Sequence, residues 1–329
     1  MGYGNYSQTA HEALTRGRVQ LPTQQVFKQR ECHPLMNPKG VRVRESRDSA
    51  DHPQSLGIVF ALDVTGSMGR IPHLLATQQL PKFMKVLGDC DVRDPQLLFL
   101  AVGDAIADRA PLQVGQFETT AELMDQWLTR SFLEAGGGGS GEESYELALY
   151  FLAQHTEMDC AVKRRKRGYL FMTGDELPYP VLSKHIVDTV IGDRLDEDLK
   201  VEEIVAELQK TYVPFFVIPD RNRAKKIESR WRGLLGDNVL VMDNPQDVCY
   251  VTAGAMLLCE GRVSDVAGVA GILKGAALPA DREAAVQKAL APLADSLRAG
   301  GRSSQPPSGS GSGGDSNPLR RLIDNIRKL

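Results

Sequence analysis

A short run of oxygen-bearing side chains follows the first strongly apolar segment of the sequence. The segment 56–62 (LGIVFAL) is a continuous apolar run of strand length, and Asp63, Thr65 and Ser67 come directly after it at alternate positions. Glycines between and after them let the backbone turn tightly. One carboxylate and two hydroxyls are hard oxygen ligands, which select Mg²⁺, Mn²⁺ or Ca²⁺ over zinc or copper. The spacing therefore predicts a divalent-cation site at the end of this strand.

Two classes of enzyme place similar residues after a first strand. A nucleophile elbow, GxSxG, requires glycine where Thr65 stands, so serine-hydrolase chemistry fits poorly. Haloacid-dehalogenase phosphatases are more similar, with a nucleophilic Asp after the first strand and an acidic Gly-Asp motif later. In that alternative Asp63 is the nucleophile, and Asp175 or Glu176 holds Mg²⁺. The acid/base Asp of such enzymes lies two residues after the nucleophile, where this chain has Thr65, so the proton donor is missing.

The pattern Asp63-x-Thr65-x-Ser67 resembles the metal-ion-dependent adhesion site (MIDAS) of von Willebrand factor A (vWA) domains, written DxSxS or DxTxS. The resemblance covers roughly residues 55–260 and is closest to the stand-alone, bacterial-type form. It implies an α/β fold with a doubly wound, mostly parallel central sheet flanked by helices. It also implies that Asp63, Thr65 and Ser67 hold the metal.

Two later loops extend the resemblance and supply further ligands. Segment 134–144 (EAGGGGSGEES) is similar to the second metal loop of vWA domains, which implies Ser140 as the hydroxyl ligand, with Glu142 or Glu143 as acidic alternatives. Segment 172–176 (MTGDE) follows an apolar run, where the family usually carries Thr-Asp-Gly. Gly and Asp are exchanged here, so Asp175, the implied third-loop ligand, is displaced by one residue.

This resemblance implies a binding module rather than an enzyme. In such domains one coordination position of the metal stays open, and a carboxylate of a partner protein completes it. A dication at a sheet edge attracts a carboxylate strongly, and its occupancy can shift the C-terminal helix of the domain. The expectation is a Mg²⁺-dependent (or Mn²⁺- or Ca²⁺-dependent) protein-binding module. A third hypothesis is a metal-free adaptor or cargo protein that acts through its C-terminal peptide.

Strand-like and helix-like segments alternate along the middle of the chain with short links between them, which independently favours a doubly wound α/β sheet. The predicted strands cover 56–62, 97–102, 111–117, 168–172, 213–218 and 239–242, with 111–117 at an edge because of its proline and polar residues. The predicted helices cover 70–87, 119–131, 143–155, 199–210, 224–232, 246–260 and 281–298.

Composition divides the chain into five parts: an N-terminal arm (1–54), the vWA-like domain (55–260), a helical extension (261–300), a Gly/Ser/Pro linker (301–318) and an amphipathic docking helix (319–329). Asn317 and Pro318 suit the start of that helix. Its apolar positions fall on one face, which predicts a second protein contact that recruits the chain to a partner or assembly.

Charge and cysteine usage narrow the class of protein further. The net charge of −3 over 329 residues gives no overall basic field, so no nucleic-acid partner is expected. The basic run 163–167 (KRRKR) lacks interleaved aromatics and is typical of a solvated loop. The longest apolar stretches are too short or too charged to span a membrane. Five scattered cysteines without a CxxC pair suit a reducing compartment, so a cytoplasmic location is expected.

Overall fold

The computed structural model describes residues 4–134 and 141–300 of the chain. Ser140, the linker 301–318 and the predicted docking helix 319–329 lie outside the described residues, and so does the side chain of Ser67. In the described ranges no helix has both the length and the apolar character needed to cross a membrane. All five cysteines are free thiols.

The described residues form a mixed α/β fold. The strands are β1 (Arg44–Ser46), β2 (Leu56–Asp63), β3 (Pro95–Val102), β4 (Leu112–Val114), β5 (Glu142–Glu143), β6 (Thr156–Met158), β7 (Gly168–Thr173), β8 (Leu177–Pro178), β9 (Val181–Leu182), β10 (Leu199–Lys200), β11 (Tyr212–Ile218) and β12 (Val239–Val241). The helices are α1 (Gln8–Arg16), α2 (Thr23–Val26), α3 (Arg70–Leu74), α4 (Leu80–Asp89), α5 (Ala121–Thr129), α6 (Tyr145–Gln154), α7 (Asp159–Val162), α8 (Lys184–Val190), α9 (Val201–Leu208), α10 (Arg221–Leu235), α11 (Val248–Cys259), α12 (Val266–Gly275) and α13 (Glu283–Arg298). A π-helical turn, Leu75–Gln79, joins α3 to α4.

Six of these strands form the central sheet, in the order β12-β11-β7-β2-β3-β4. Neighbouring strands are parallel, except that the edge strand β4 runs antiparallel to β3. Every residue of β2 is buried, and since successive side chains of a strand point to opposite faces, both faces are covered. The prediction of an α/β fold with a mostly parallel central sheet and helices is confirmed, as is the edge position of the strand predicted at 111–117.

A row of phenylalanines holds the register of the central strands. Phe60 of β2 stands opposite Phe99 of β3 and Phe171 of β7, with ring centroids 5.9 and 5.6 Å apart. Phe215 of β11 extends the row, and Phe83 of α4 packs edge-on against Phe60 at 5.1 Å. Each buried phenylalanine contributes roughly 1.5–3 kcal/mol. A one-residue slip would turn every ring to the opposite face, so the row opposes slippage.

The chain reverses its direction across the sheet at β2. From β2 it proceeds outward through β3 to β4, and it then returns to form β7 on the other side of β2. The loops that follow β2 and β7 therefore leave in different directions. In open α/β sheets such a reversal marks the crevice, at the carboxyl ends of the two strands, in which ligands bind. Asp63 and Asp175 both belong to this edge.

Helical segments outside the predicted set explain how the two ends of the described chain pack. The predicted N-terminal arm contains α1, which Ser7 caps and which buries His11 and Thr15, four residues apart. The Ala- and Gly-rich segment after 260 contains α12 in addition to the predicted α13. Gly254 lets these two helices approach α11 closely, because a Cβ at position 254 would lie 2.5 Å from a methyl group of Leu290 in α13. The helical extension thus packs directly on the domain.

Candidate metal site

Asp63 is the last residue of β2, and its carboxylate is fully buried. Its Oδ1 accepts hydrogen bonds from the backbone N–H of Thr65 (2.9 Å) and from the Thr65 hydroxyl (2.6 Å). Its Oδ2 accepts one from the hydroxyl of Tyr145 (2.6 Å). Burial raises the pKa of Asp63 to about 6 despite these three donors, and the charge of Asp175 adds to the rise. At neutral pH the carboxylate is charged, and burial makes that charge unfavourable.

Thr65 is placed so that its oxygen can serve as a ligand. Its hydroxyl donates a hydrogen bond to Asp63 Oδ1, and the lone pairs of a hydroxyl oxygen that donates in this way can coordinate a cation. The residue is 5% exposed and lies just before the 3₁₀ turn Gly66–Gly69 that leads into α3. Asp63 and Thr65 therefore come together as predicted. The backbone of Ser67 lies in this turn, and its side chain lies outside what the structure describes.

Tyr145 was not identified from the sequence, although it contacts the central carboxylate directly. It is the first residue of α6 and is completely buried. A Cβ at position 174 would lie 2.2 Å from its hydroxyl oxygen, so glycine is required there for Tyr145 to reach Asp63. This contact gives a physical reason for the exchanged Gly174-Asp175 order, since an aspartate at 174 would occupy the space of the tyrosine.

Asp175 stays near the site despite its displacement by one residue. Its side chain is 6% exposed, and its negative charge contributes to the raised pKa of Asp63. The guanidinium of Arg223, on α10, lies 3.4 Å from Asp175 Oδ2. Asp175 is thus a buried carboxylate on the neighbouring strand end that acts electrostatically on Asp63.

Glu143 is the least compensated carboxylate of the site. It ends β5, two residues before α6 begins, is 1% exposed, and its Oε2 has no hydrogen-bond partner among the described residues. Burial raises its pKa to about 9, with further contributions from Asp63, Asp104, Asp108 and Glu176. A buried acceptor without a donor is unfavourable by about 1–3 kcal/mol. Of the two acidic alternatives in this loop, Glu143 is therefore the one with a buried carboxylate oxygen that lacks a hydrogen-bond partner among the described residues.

Asp104 and Asp108, which follow β3 in the chain, organise a turn beside the site. Asp108 accepts a hydrogen bond from the backbone N–H of Asp104 (2.8 Å). Asp104 in turn accepts from the N–H of Ile106 (3.0 Å) and from the hydroxyl of Tyr179 (3.2 Å). Arg109 lies 4.0 Å from Glu134. These two aspartates cap the turn and also contribute negative charge at Glu143.

Two more buried oxygen groups at this edge were missed in the sequence. Glu146, on α6, has its Oε1 unpartnered among the described residues, and burial raises its pKa to about 8. Thr173, the last residue of β7, is fully buried, and its hydroxyl likewise has no hydrogen-bond partner in that part of the chain. Glu146 could have been noticed in the sequence, because it is a glutamate among the apolar residues of a predicted helix. A threonine at a strand end carries no comparable signal.

The residues present have the chemistry that a hard dication requires. In residues 4–134 and 141–300 no three His, Cys, Asp or Glu side chains form a ready-made metal-binding group. The donor set is instead mixed, with a carboxylate and a hydroxyl joined at Asp63 and Thr65 and the orphaned Oε2 of Glu143 near them. Neighbouring carboxylates add to the raised pKa of Asp63 and of Glu143, and Arg223 offers a counter-charge to Asp175. A dication would relieve the remaining repulsion.

No protein family and no curated protein matches the chain. Several solved structures are similar to part of it, and two of them serve as examples. One is the open conformation of the pilus adhesin SpaC from Lactobacillus rhamnosus GG, with 9% identity and a TM-score of 0.41 over 63% of this chain and 30% of that one. The other is proximal thread matrix protein 1 from the mussel byssus, with 10% identity and a TM-score of 0.40 over 68% of this chain and 51% of that one. The chain thus spans about a third to a half of these proteins.

Proposed function

We propose that this protein is a divalent-metal-dependent protein-binding module of the vWA type. Asp63, Thr65, Ser67, Ser140 and Asp175 would hold Mg²⁺ (or Mn²⁺ or Ca²⁺), and a carboxylate from a partner protein would complete the coordination. The observation that carries the proposal is the buried Asp63–Thr65 pair at the crevice between β2 and β7, surrounded by carboxylates with too little positive charge. Glu143 is a further candidate ligand through its orphaned Oε2.

The order of the strands supports the proposed doubly wound, vWA-like arrangement. Counted along the chain, the six strands of the central sheet lie in the order 3-2-1-4-5-6. This order is typical of doubly wound nucleotide-binding folds, which bind their ligands beside strands 1 and 4. Asp63 ends the first of these strands, and the segment with Asp175 follows the fourth. The proposed ligands therefore belong to the two strand ends that flank this crevice.

The balance of charge explains why a carboxylate would be the last ligand. A metal-free site repels an approaching carboxylate, because the buried side chains of Asp63 and Asp175 carry negative charge at neutral pH. A bound dication reverses the sign of the local field and offers an open coordination position. Binding of an acidic partner would thus depend strictly on the metal. The metal itself supplies Lewis acidity, and the residues of the chain orient it.

A second proposed role is the recruitment of the protein to a partner through its C-terminal segment. Segment 319–329, tethered by 301–318, would form a second protein contact that attaches the module to a partner or assembly. Its apolar positions and its four cations are the features that support this role. The proposal places the protein in the cytoplasm, because free, scattered thiols suit a reducing compartment.

The test compares melting temperatures in EDTA and in millimolar Mg²⁺ or Mn²⁺. A metal at about 100 times its Kd adds roughly 2.7 kcal/mol to the free energy of unfolding, which raises the melting temperature by several degrees. Thr65→Val should abolish this rise, because valine keeps the shape of threonine and removes the ligand oxygen. Thr252→Val is the matched control. Thr252 is also buried, and its hydroxyl donates a hydrogen bond to the carbonyl of Val248 within α11.

A wild-type melting temperature that does not respond to Mg²⁺, Mn²⁺ or Ca²⁺ would contradict the metal-binding part of the proposal. An equal loss of response in Thr65→Val and Thr252→Val would mean that the effect is not specific to the site. The phosphatase alternative has its own readout. If the wild type hydrolyses p-nitrophenyl phosphate and Asp63→Asn does not, the protein is a phosphatase rather than a binding module.

A further inference from the structure

A basic cleft adjoins the metal loop on the side of the N-terminal arm. It has a volume of about 790 Å³ and is lined by the arm segment after α2, by Gly66 of the metal loop, by the start of α3 and by Leu133 and Glu134. Gly66 belongs both to this cleft and to the loop between Thr65 and Ser67. The proposed metal loop therefore forms part of the wall of the cleft.

The arm is anchored so that its cations face the cleft. Val26 and Phe27 are buried in the main core at 6% and 5% exposure, and His73 Nε2 donates a hydrogen bond to the carbonyl of Leu21 (2.9 Å). These contacts attach the arm to α3. Lys28 and Arg30 follow directly, are exposed, and line the cleft.

The cleft carries a net positive charge. Lys28, Arg30 and Arg70 line it as exposed cations, and none of them makes an ion pair within residues 4–134 and 141–300. The acidic residue of the lining, Glu134, is 8% exposed and uses its Oε1 to accept the N–H groups of Arg109 (3.0 Å) and Ala110 (3.1 Å). Three available cations thus face one carboxylate that is already bonded to the backbone.

We infer that this cleft binds the continuation of an acidic segment of a partner protein, whose leading carboxylate completes the metal site. This inference rests on the proposed function and specifies its partner: a peptide with several consecutive carboxylates rather than a single one. The first carboxylate meets the dication, and the following ones meet Lys28, Arg30 and Arg70. The chain's own segment 319–329 is unsuited to the cleft, because it has four cations and one aspartate.

The experiment measures fluorescence anisotropy with two labelled peptides, in Mg²⁺ and in EDTA. One peptide is decaglutamate, and the other is a Gly/Ser peptide of the same length with a single glutamate. Both should bind only with Mg²⁺, and decaglutamate should bind about tenfold more tightly because of the cleft cations, an advantage that falls at high salt. The triple variant Lys28→Ala/Arg30→Ala/Arg70→Ala should remove this advantage and keep the Mg²⁺-dependent rise in melting temperature.

The matched control is Arg16→Ala/Lys39→Ala/Lys288→Ala, which removes three exposed cations that do not line the cleft. If both triple variants weaken decaglutamate equally, or neither does, the cleft inference is overturned, while Mg²⁺-dependent binding of the single-glutamate peptide leaves the proposed function standing. Binding of both peptides that is indifferent to EDTA overturns the proposed function and the inference with it. A labelled oligothymidylate is tested in the same way, and the contrary result is that it binds more tightly than decaglutamate and loses that binding in the triple variant Lys28→Ala/Arg30→Ala/Arg70→Ala. That result would assign the cleft to nucleic acid and overturn the inference.

Discussion

Asp63 and the carboxylates around it are the residues from which the proposed chemistry follows. A fully buried aspartate with three hydrogen-bond donors would ordinarily have a depressed pKa, yet burial and neighbouring acids outweigh those donors here. Glu143 and Glu146 show the same effect more strongly, with pKa values of about 9 and 8. Such a set is unfavourable by itself and becomes favourable when a cation binds.

The pH dependence of stability should reveal this set directly. An acid whose pKa is raised in the folded state is protonated there while the unfolded chain has already ionised, so stability falls as pH rises from about 4 to the folded pKa. For Asp63 the fall ends near pH 6 and amounts to about 3 kcal/mol, and Glu146 and Glu143 extend it towards pH 8 and 9. In EDTA the melting temperature should therefore decrease from pH 5 to pH 9.

The control for this prediction is the double variant Asp63→Asn/Glu143→Gln. Its melting temperature in EDTA should decrease much less between pH 5 and pH 9. Mg²⁺ should counteract the decrease in the wild type, and increasingly so at higher pH, because the metal binds the ionised carboxylates. A wild-type melting temperature in EDTA that rises steadily over the same range would show that these acids are not destabilised in the fold.

At the scale of elements, the decisive contact is between the end of β7 and the start of α6. Gly174 allows the Tyr145 ring to pass the strand end and reach Asp63. The same tyrosine packs edge-on against Trp231 of α10, with centroids 5.6 Å apart. One side chain thus links the carboxylate of β2 to the helix that carries Arg223. The relative position of three elements depends on the absence of a Cβ at 174.

Gly174→Ala should lower the free energy of unfolding by about 1–3 kcal/mol, because the added methyl group overlaps the tyrosine ring. It should also reduce the Mg²⁺-dependent rise in melting temperature by displacing Tyr145 from Asp63. Gly88→Ala is the control, since nothing lies within 4 Å of a Cβ there and alanine favours the helix α4 by up to about 1 kcal/mol. Urea denaturation measures the free energy of unfolding of both variants. Equal values for the two would contradict the packing argument.

Much of this element-scale arrangement could be predicted from the sequence, and part of it could not. The buried strands were predicted because continuous apolar runs such as 56–62 are typical of strands in covered parallel sheets. The helix α1 was missed because it is polar overall and buries only His11 and Thr15. The helix α12 was missed because its small residues give no clear amphipathic period. Tyr145 at the site could not be predicted, because its role arises from the position of Gly174 in space.

At the scale of the whole molecule, the described residues and the C-terminal segment are predicted to have separable roles. The segment 261–300 packs on the domain through Gly254, Val269 and Leu290, so it belongs to the folded body. Truncation after residue 300 should therefore leave the melting temperature and its Mg²⁺ response unchanged, to within about a degree, while co-purification with the recruiting partner is lost.

The informative comparison for this truncation is Leu322→Asp/Ile326→Asp in the full chain, which breaks the apolar face and keeps the length. Affinity purification from cells, with quantitative mass spectrometry, measures the recovered partners of each form. Recovery that is the same for the full chain, the truncation and the double variant would refute a recruiting role for 319–329. A lowered melting temperature after truncation would instead indicate that the segment supports the fold.

The sequence by itself determined the alternation of strands and helices and the place of the candidate oxygen ligands after the first strand, because apolar periodicity and side-chain chemistry are local properties. It also determined that Asp63 and Thr65 would be adjacent, since they are two residues apart in one loop. Only the tertiary structure decided which distant groups share their environment. Tyr145, Glu143, Glu146 and the cations of the cleft come to this edge through strand order and helix packing, which depend on contacts between residues far apart in the chain.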